Sequence, residues 1–284
     1  MADSEEEPDA AGERSTWERW YSVGTTFVAP ATFLTAVLFY YGYVSSRAQF
    51  SYFGVDVDTI GLSTRDYVMR SPQALLVPLL LIPVVGAALV LVSRLLEHRV
   101  PPEAVRYVAW GAGVVLGVGI AMVLAYGWLG GWPYYPMVTP LVLTAGLLGL
   151  VWAWRRTGVR RTARVLAMVA VAVCVFWATA TLAQWTGLGA AQRTARNLGD
   201  LPAVVMDTRE RLYLGVTDDA GVVESALPEE KDQTFRYRYR GLRLLIQAGN
   251  RMFLVPDRWT PSNSTLLVPI DEVRVRFRFE NDPP

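Results

Sequence analysis

The chain has 284 residues, with 27 Lys and Arg against 26 Asp and Glu for a net charge of +1, and 52% of it is hydrophobic. That balance excludes a disordered tail protein and a basic nucleic-acid binder. One Cys and one His exclude disulfide frameworks, Cys/His zinc sites and most thiol chemistry.

The average hides a split. Residues 107–154 carry no charged side chain, whereas residues 200–284 carry 12 basic and 14 acidic ones. Two solvents are implied, lipid for the first part and water for the second. In chain order, residues 1–22 read as an acidic cytoplasmic segment. Five nearly uncharged runs follow, at about 23–44, 74–96, 108–129, 135–154 and 163–186. Each is long enough to cross a bilayer as a helix, which takes roughly 20 apolar residues. The third and fourth should form a hairpin through Gly130-Gly131-Trp132-Pro133-Tyr134-Tyr135-Pro136, which combines helix breakers with interfacial aromatics. The first run is expected to stay as an anchor, because nine charged residues precede it and no small-residue cleavage site follows it.

Orientation is read from arginine near span ends. The side holding Arg14, Arg94, Arg99 and the cluster from Arg155 to Arg164 has ten, and the opposite side has five. The amino terminus is therefore predicted to be cytoplasmic, in the plasma membrane, and an odd number of spans puts the C-terminal domain outside. The fold class expected is an α-helical membrane bundle of about five transmembrane helices (23–186, with an outer loop at 45–73). A linker at 187–200 then leads to a small all-β domain at 201–284, a sandwich or barrel.

The spans carry no ionisable pair at mid-depth and the sole His98 lies in a loop, so coupled transport, intramembrane proteolysis and cofactor chemistry find no residues to carry them. Gly111, Gly113, Gly117, Gly119 and Ala121 in the third run suit close helix contact, read first as packing within one chain and second as homo-oligomer association. In the outer loop, Phe50, Tyr52 and Phe53 would be exposed unless they touch the bilayer, a second subunit or the outer domain. Ser63 and Asp66 fit a shortened capping box. Asp56 and Asp58 form an Asp-x-Asp pair, read first as turn or capping residues and second as a cation site or the acidic mouth of a channel.

From about Leu201 the period changes from helical to alternating. Val204 to Met206 and Leu212 to Leu214 read as a hairpin, and Leu242 to Gln247 and Met252 to Val255 as a second one around Ala248-Gly249-Asn250. Arg236, Arg238 and Arg240 alternate with Phe235, Tyr237 and Tyr239, and Arg274, Arg276 and Arg278 alternate with Val273, Val275, Phe277 and Phe279. The two rows could meet on one sheet face and bind anionic lipid headgroups, another anionic envelope component such as a wall polymer, or an acidic partner loop such as the Asp56/Asp58 segment; the simpler reading is pairing with Asp or Glu across strands. The domain has no His and no phosphate loop, so no hydrolase triad can form.

Phe39-Tyr40-Tyr41-Gly42-Tyr43-Val44, Tyr52-Phe53-Gly54-Val55-Asp56 and Gly61-Leu62-Ser63-Thr64-Arg65-Asp66-Tyr67 together resemble a group of uncharacterised actinobacterial multi-pass membrane proteins. Tyr237-Arg238-Tyr239-Arg240-Gly241-Leu242-Arg243-Leu244-Leu245 resembles the C-terminal part of the same group. The resemblance implies this architecture and no activity. The function expected is a non-enzymatic interaction or sensing module working through the outer β domain and first outer loop. The rival expectation is an oligomeric channel lined by Thr and Trp of kinked helices, with Asp56 and Asp58 at its outer mouth.

Overall fold

Apolar runs that close their own backbone hydrogen bonds become helices, and they dominate the first two thirds of the chain. The structure, a computed structural model, describes residues 31–278 apart from 33, 100, 215–220, 229–232 and 261. Helix α1 covers residues 34–51. It is followed by α2 (Val57–Ile60), α3 (Thr64–Arg99), α4 (Pro102–Leu124), α5 (Tyr126–Leu129), α6 (Tyr135–Thr157) and α7 (Arg161–Arg196). Among the described residues three helices are long and apolar enough to cross a membrane, within Glu103–Leu124, Tyr135–Thr157 and Arg161–Arg196, and Leu80–Leu95 is a shorter apolar stretch inside α3. The first expected span begins outside the described residues, as does the whole of segment 1–22.

Only 11% of the apolar window of α4 is covered by protein, against 39% for α7, so α7 is the central helix and α4 a peripheral one. Val114, Val118 and Leu124 of α4 stand exposed. An apolar surface of this extent fits an apolar surrounding.

Backbones approach closely at a few glycines. A Cβ on Gly146 would lie 2.7 Å from the Leu116 backbone and one on Gly149 2.8 Å from the Ala112 side chain, while Gly119 faces Leu143. These three contacts run in opposite directions along α4 and α6, so the pair is an antiparallel hairpin. Gly111, Gly113 and Gly117 meet nothing within 4 Å. Helix α1 is wedged: Gly42 lies against the Tyr67 carbonyl of α3, and Gly187 of α7 against the Ser45 carbonyl.

The C-terminal part is an antiparallel sheet of β1 (Ala203–Thr208), β2 (Val223–Ala226), β3 (Tyr237–Ala248), β4 (Arg251–Pro256), β5 (Leu266–Pro269) and β6 (Arg274–Arg278). The order is β5-β4-β3-β1-β6, and β2 pairs the first part of β3 on the edge opposite β1, which β4 takes along the rest of β3. It is an open sheet, which corrects the expected sandwich or barrel. The β3–β4 hairpin turns on Gly249 at φ 56°, with glycine at the first central position as a type II′ turn prefers. The expected hairpin between Val204–Met206 and Leu212–Leu214 does not form. Both edges of β1 are taken, by β3 and β6, so no pairing groups remain for a third strand. Leu212 is held instead by its N–H donating to the Tyr239 hydroxyl at 2.8 Å. Phe279 lies outside the described residues.

Cross-strand partners share a face, so the registers divide the sheet into two. One face carries Val204, Met206, Tyr239, Leu242, Met252, Leu254 and Val268, buried together under Leu214, Val222 and Ile270. The other carries Ile246, Phe253 and Val255, which pack on the end of the helical bundle. A single sheet is therefore enough, because the helices supply its second layer.

Candidate interaction surface

The segment between α1 and α3 is built as a pad for the sheet. Helix α1 ends at Ser51 and the chain turns through Gly54 at φ 72°, a conformation glycine takes without strain. Phe50, only 2% exposed, then packs with Val55, Val57, Ile60 and Tyr67 against Ile246 and Phe253. Phe53 is fully buried with Ala191, Leu198 and Val255, its ring 5.0 Å from that of Trp259. Its carbonyl accepts a 2.6 Å hydrogen bond from the Thr265 hydroxyl. Phe50 and Phe53 are thus taken up inside the chain by contact with the C-terminal sheet, and of the three loop aromatics Tyr52 alone is open.

Both acids of the Asp-x-Asp pair have local work. Asp56 is the N-cap of α2, its carboxylate accepting from the Asp58 N–H at 3.3 Å, and Asp58 accepts from the Tyr43 hydroxyl at 3.4 Å. Ser63 and Asp66 form a reciprocal cap: the Ser63 N–H and hydroxyl donate to the Asp66 carboxylate at 2.9 and 2.7 Å, and the Asp66 N–H donates back at 3.3 Å. These bonds from Ser63 hold the Asp66 carboxyl below the usual carboxylate range.

The six arginines of the two rows lie on one face of the sheet. Arg238 is opposite Asp207, Arg274 is opposite Asp207 from the other side, Arg276 is opposite Val205 and Arg278 opposite Ala203. Alternation puts Arg236 and Arg240 on the same side as Arg238. Of the two acids within the strands, Glu224 is opposite Tyr239 and so belongs to the other face, where it pairs with Arg211. Among the described residues Asp207 is therefore the only strand carboxylate on the arginine face.

Asp207 is 1% exposed and fully engaged. Arg238 donates to it in bidentate fashion, Nε at 2.7 Å and Nη2 at 3.0 Å, and Arg276 adds a third bond at 3.3 Å. Hydrogen bonding from Arg238, ahead of the opposing effect of burial, holds its carboxyl below the ordinary range. Among the described residues no ion pair engages Arg236, Arg240, Arg274 or Arg278, though the Arg274 guanidinium sits 4.7 Å from the Phe235 ring centre. All four are exposed.

Sequence reasoning missed the residue that joins the two parts. Arg243, 8% exposed, donates through Nε to Asp257 at 2.5 Å and through Nη1 to the carbonyls of Gly199 and Leu201 at 3.3 and 3.1 Å. Those carbonyls belong to the turn between α7 and β1, so one side chain ties the end of the central helix to the middle of the sheet. A signal was available: Arg243 is the one arginine within the apolar run Leu242 to Ile246, a position where a cation must be paired. Comparison with family models, with curated proteins and with solved structures gives no match for this chain.

Proposed function

We propose that this is an integral plasma-membrane protein with about five spans, a cytoplasmic amino terminus and an extracytoplasmic sheet. It acts there as a non-enzymatic interaction or sensing module. One observation carries the reading: the sheet shares its apolar core with the ends of α1 and α7 and with the segment between α1 and α3. A partner that shifts the sheet must move packed neighbours on the helices, because close-packed interiors transmit displacement instead of absorbing it. The arginine face and Tyr52 supply the exposed contact groups.

Photo-crosslinkers at Tyr52, Arg236 and Arg240 of the full-length protein in intact cells test this reading. Discrete adducts with an envelope component or a second copy at these positions support it, and the absence of adducts at all three contradicts it.

A further inference from the structure

We infer that the arginine face of the sheet binds the anionic phospholipid headgroups of the leaflet beneath it, so that the arginine side chains tether the sheet to the bilayer while the helices support it. The inference deepens the reading above and rests on its membrane placement. Register is the first ground. Ala203 is opposite Arg243, which is opposite Val255, so the arginine rows lie on the same face as Ile246, Phe253 and Val255. That is the face turned toward the helices, and where the helices stop supporting it the arginines begin.

Charge is the second ground. Arg236, Arg238, Arg240, Arg274, Arg276 and Arg278 share this face with one strand carboxylate, Asp207, which Arg238 and Arg276 already satisfy. An excess of fixed guanidinium forks is the chemistry that recognises phosphodiester oxygens. Arg193 and Arg196 lie in the last turn of α7, the helix end that leads into the sheet.

Reach is the third ground. Helix α7 continues ten residues beyond the apolar run that ends at 186, which lifts the sheet by about 15 Å at about 1.5 Å per residue. Headgroups fill about 5 to 8 Å of that height, and electrostatic screening sets in only over about 8 Å at physiological ionic strength. The remaining gap is within the field of an exposed arginine row. A lone carboxylate ligand or a neutral headgroup would leave most of these charges unanswered.

The test uses full-length protein, delipidated in detergent and titrated with phosphatidylglycerol or phosphatidylcholine, with bound lipid counted by native mass spectrometry. Wild-type protein should retain phosphatidylglycerol at least about tenfold more tightly, with the preference shrinking in high salt. Arg236→Gln, Arg240→Gln and Arg278→Gln together should abolish that preference without changing the thermal midpoint. The same three positions as Lys should keep most of it. Equal retention of both lipids by wild type, or an unchanged preference in the Gln variant, overturns the inference. Displacement of the lipid by inorganic phosphate at equal charge concentration also overturns it, because the site would then be one for free anions. Release of the protein from membranes by alkaline carbonate is a separate result: it removes the membrane placement itself, and the headgroup inference with it.

Discussion

Asp207 shows how one side chain sets the chemistry of a whole face. Buried between two arginine rows, it can stay ionised only because Arg238 and Arg276 answer it. Asp207→Ala removes the acceptor that Arg238 and Arg276 share and should lower the midpoint of thermal or denaturant unfolding. The sign of the pH effect follows from the lowered folded-state value. The stabilisation is fully present above the unfolded carboxylate value, about pH 4, and is lost as pH falls through the lower folded one. The wild-type midpoint should therefore drop on acidification below that point, more steeply than that of Asp207→Asn. Arg243→Leu should act differently, leaving Asp257 and two backbone carbonyls without their donor, and should lower the midpoint by the equivalent of about 2 to 4 kcal/mol.

Elements meet where side chains are absent. A methyl on Gly187 would run into the Ser45 carbonyl, whereas one on Gly117 would meet open space. Gly187→Ala should cost about 1 to 3 kcal/mol through forced separation of α1 and α7, and Gly117→Ala should be neutral or stabilising through better helix propensity. Thermal melts of the two variants in the same detergent check both. The glycine-rich third run was legible as a contact helix, but which glycines make contact was not, because spacing does not reveal which face a neighbour takes. Gly146 and Gly149 on the facing helix escaped notice for the same reason. The β3–β4 hairpin was readable because alternation and a Gly-Asn turn agree. β2 and β5 are four residues each, too short to show alternation, and Leu212 to Leu214 reads as a strand locally although β1 has no free edge to pair with it.

At the scale of the molecule, what the sequence presents as two separate parts is one packed object. Alternation in β3 and β4 predicts apolar residues on one face, yet both faces here are apolar in part, since Ile246, Phe253 and Val255 are covered by helix ends and not by a second sheet. Pairing between distant segments is invisible to local pattern, so the sequence leaves Phe50 and Phe53 with three possible covers, the bilayer, a second subunit or the outer domain, and does not choose among them. Removing the shared core at one point, by Phe53→Ala, should lower the stability of the sheet and of the bundle end together by about 3 to 5 kcal/mol, seen as faster amide exchange in β4 and in residues 50–60 alike.

The most direct measurement is the distance between spin labels at Thr59 and Arg251, both exposed, in full-length protein carrying Cys174→Ser and held in lipid nanodiscs. A sheet docked on the bundle gives one narrow distance distribution that persists from low to high salt. A broad distribution spread over tens of ångströms, as about a dozen residues of free tether would allow, contradicts the shared core and everything drawn from it.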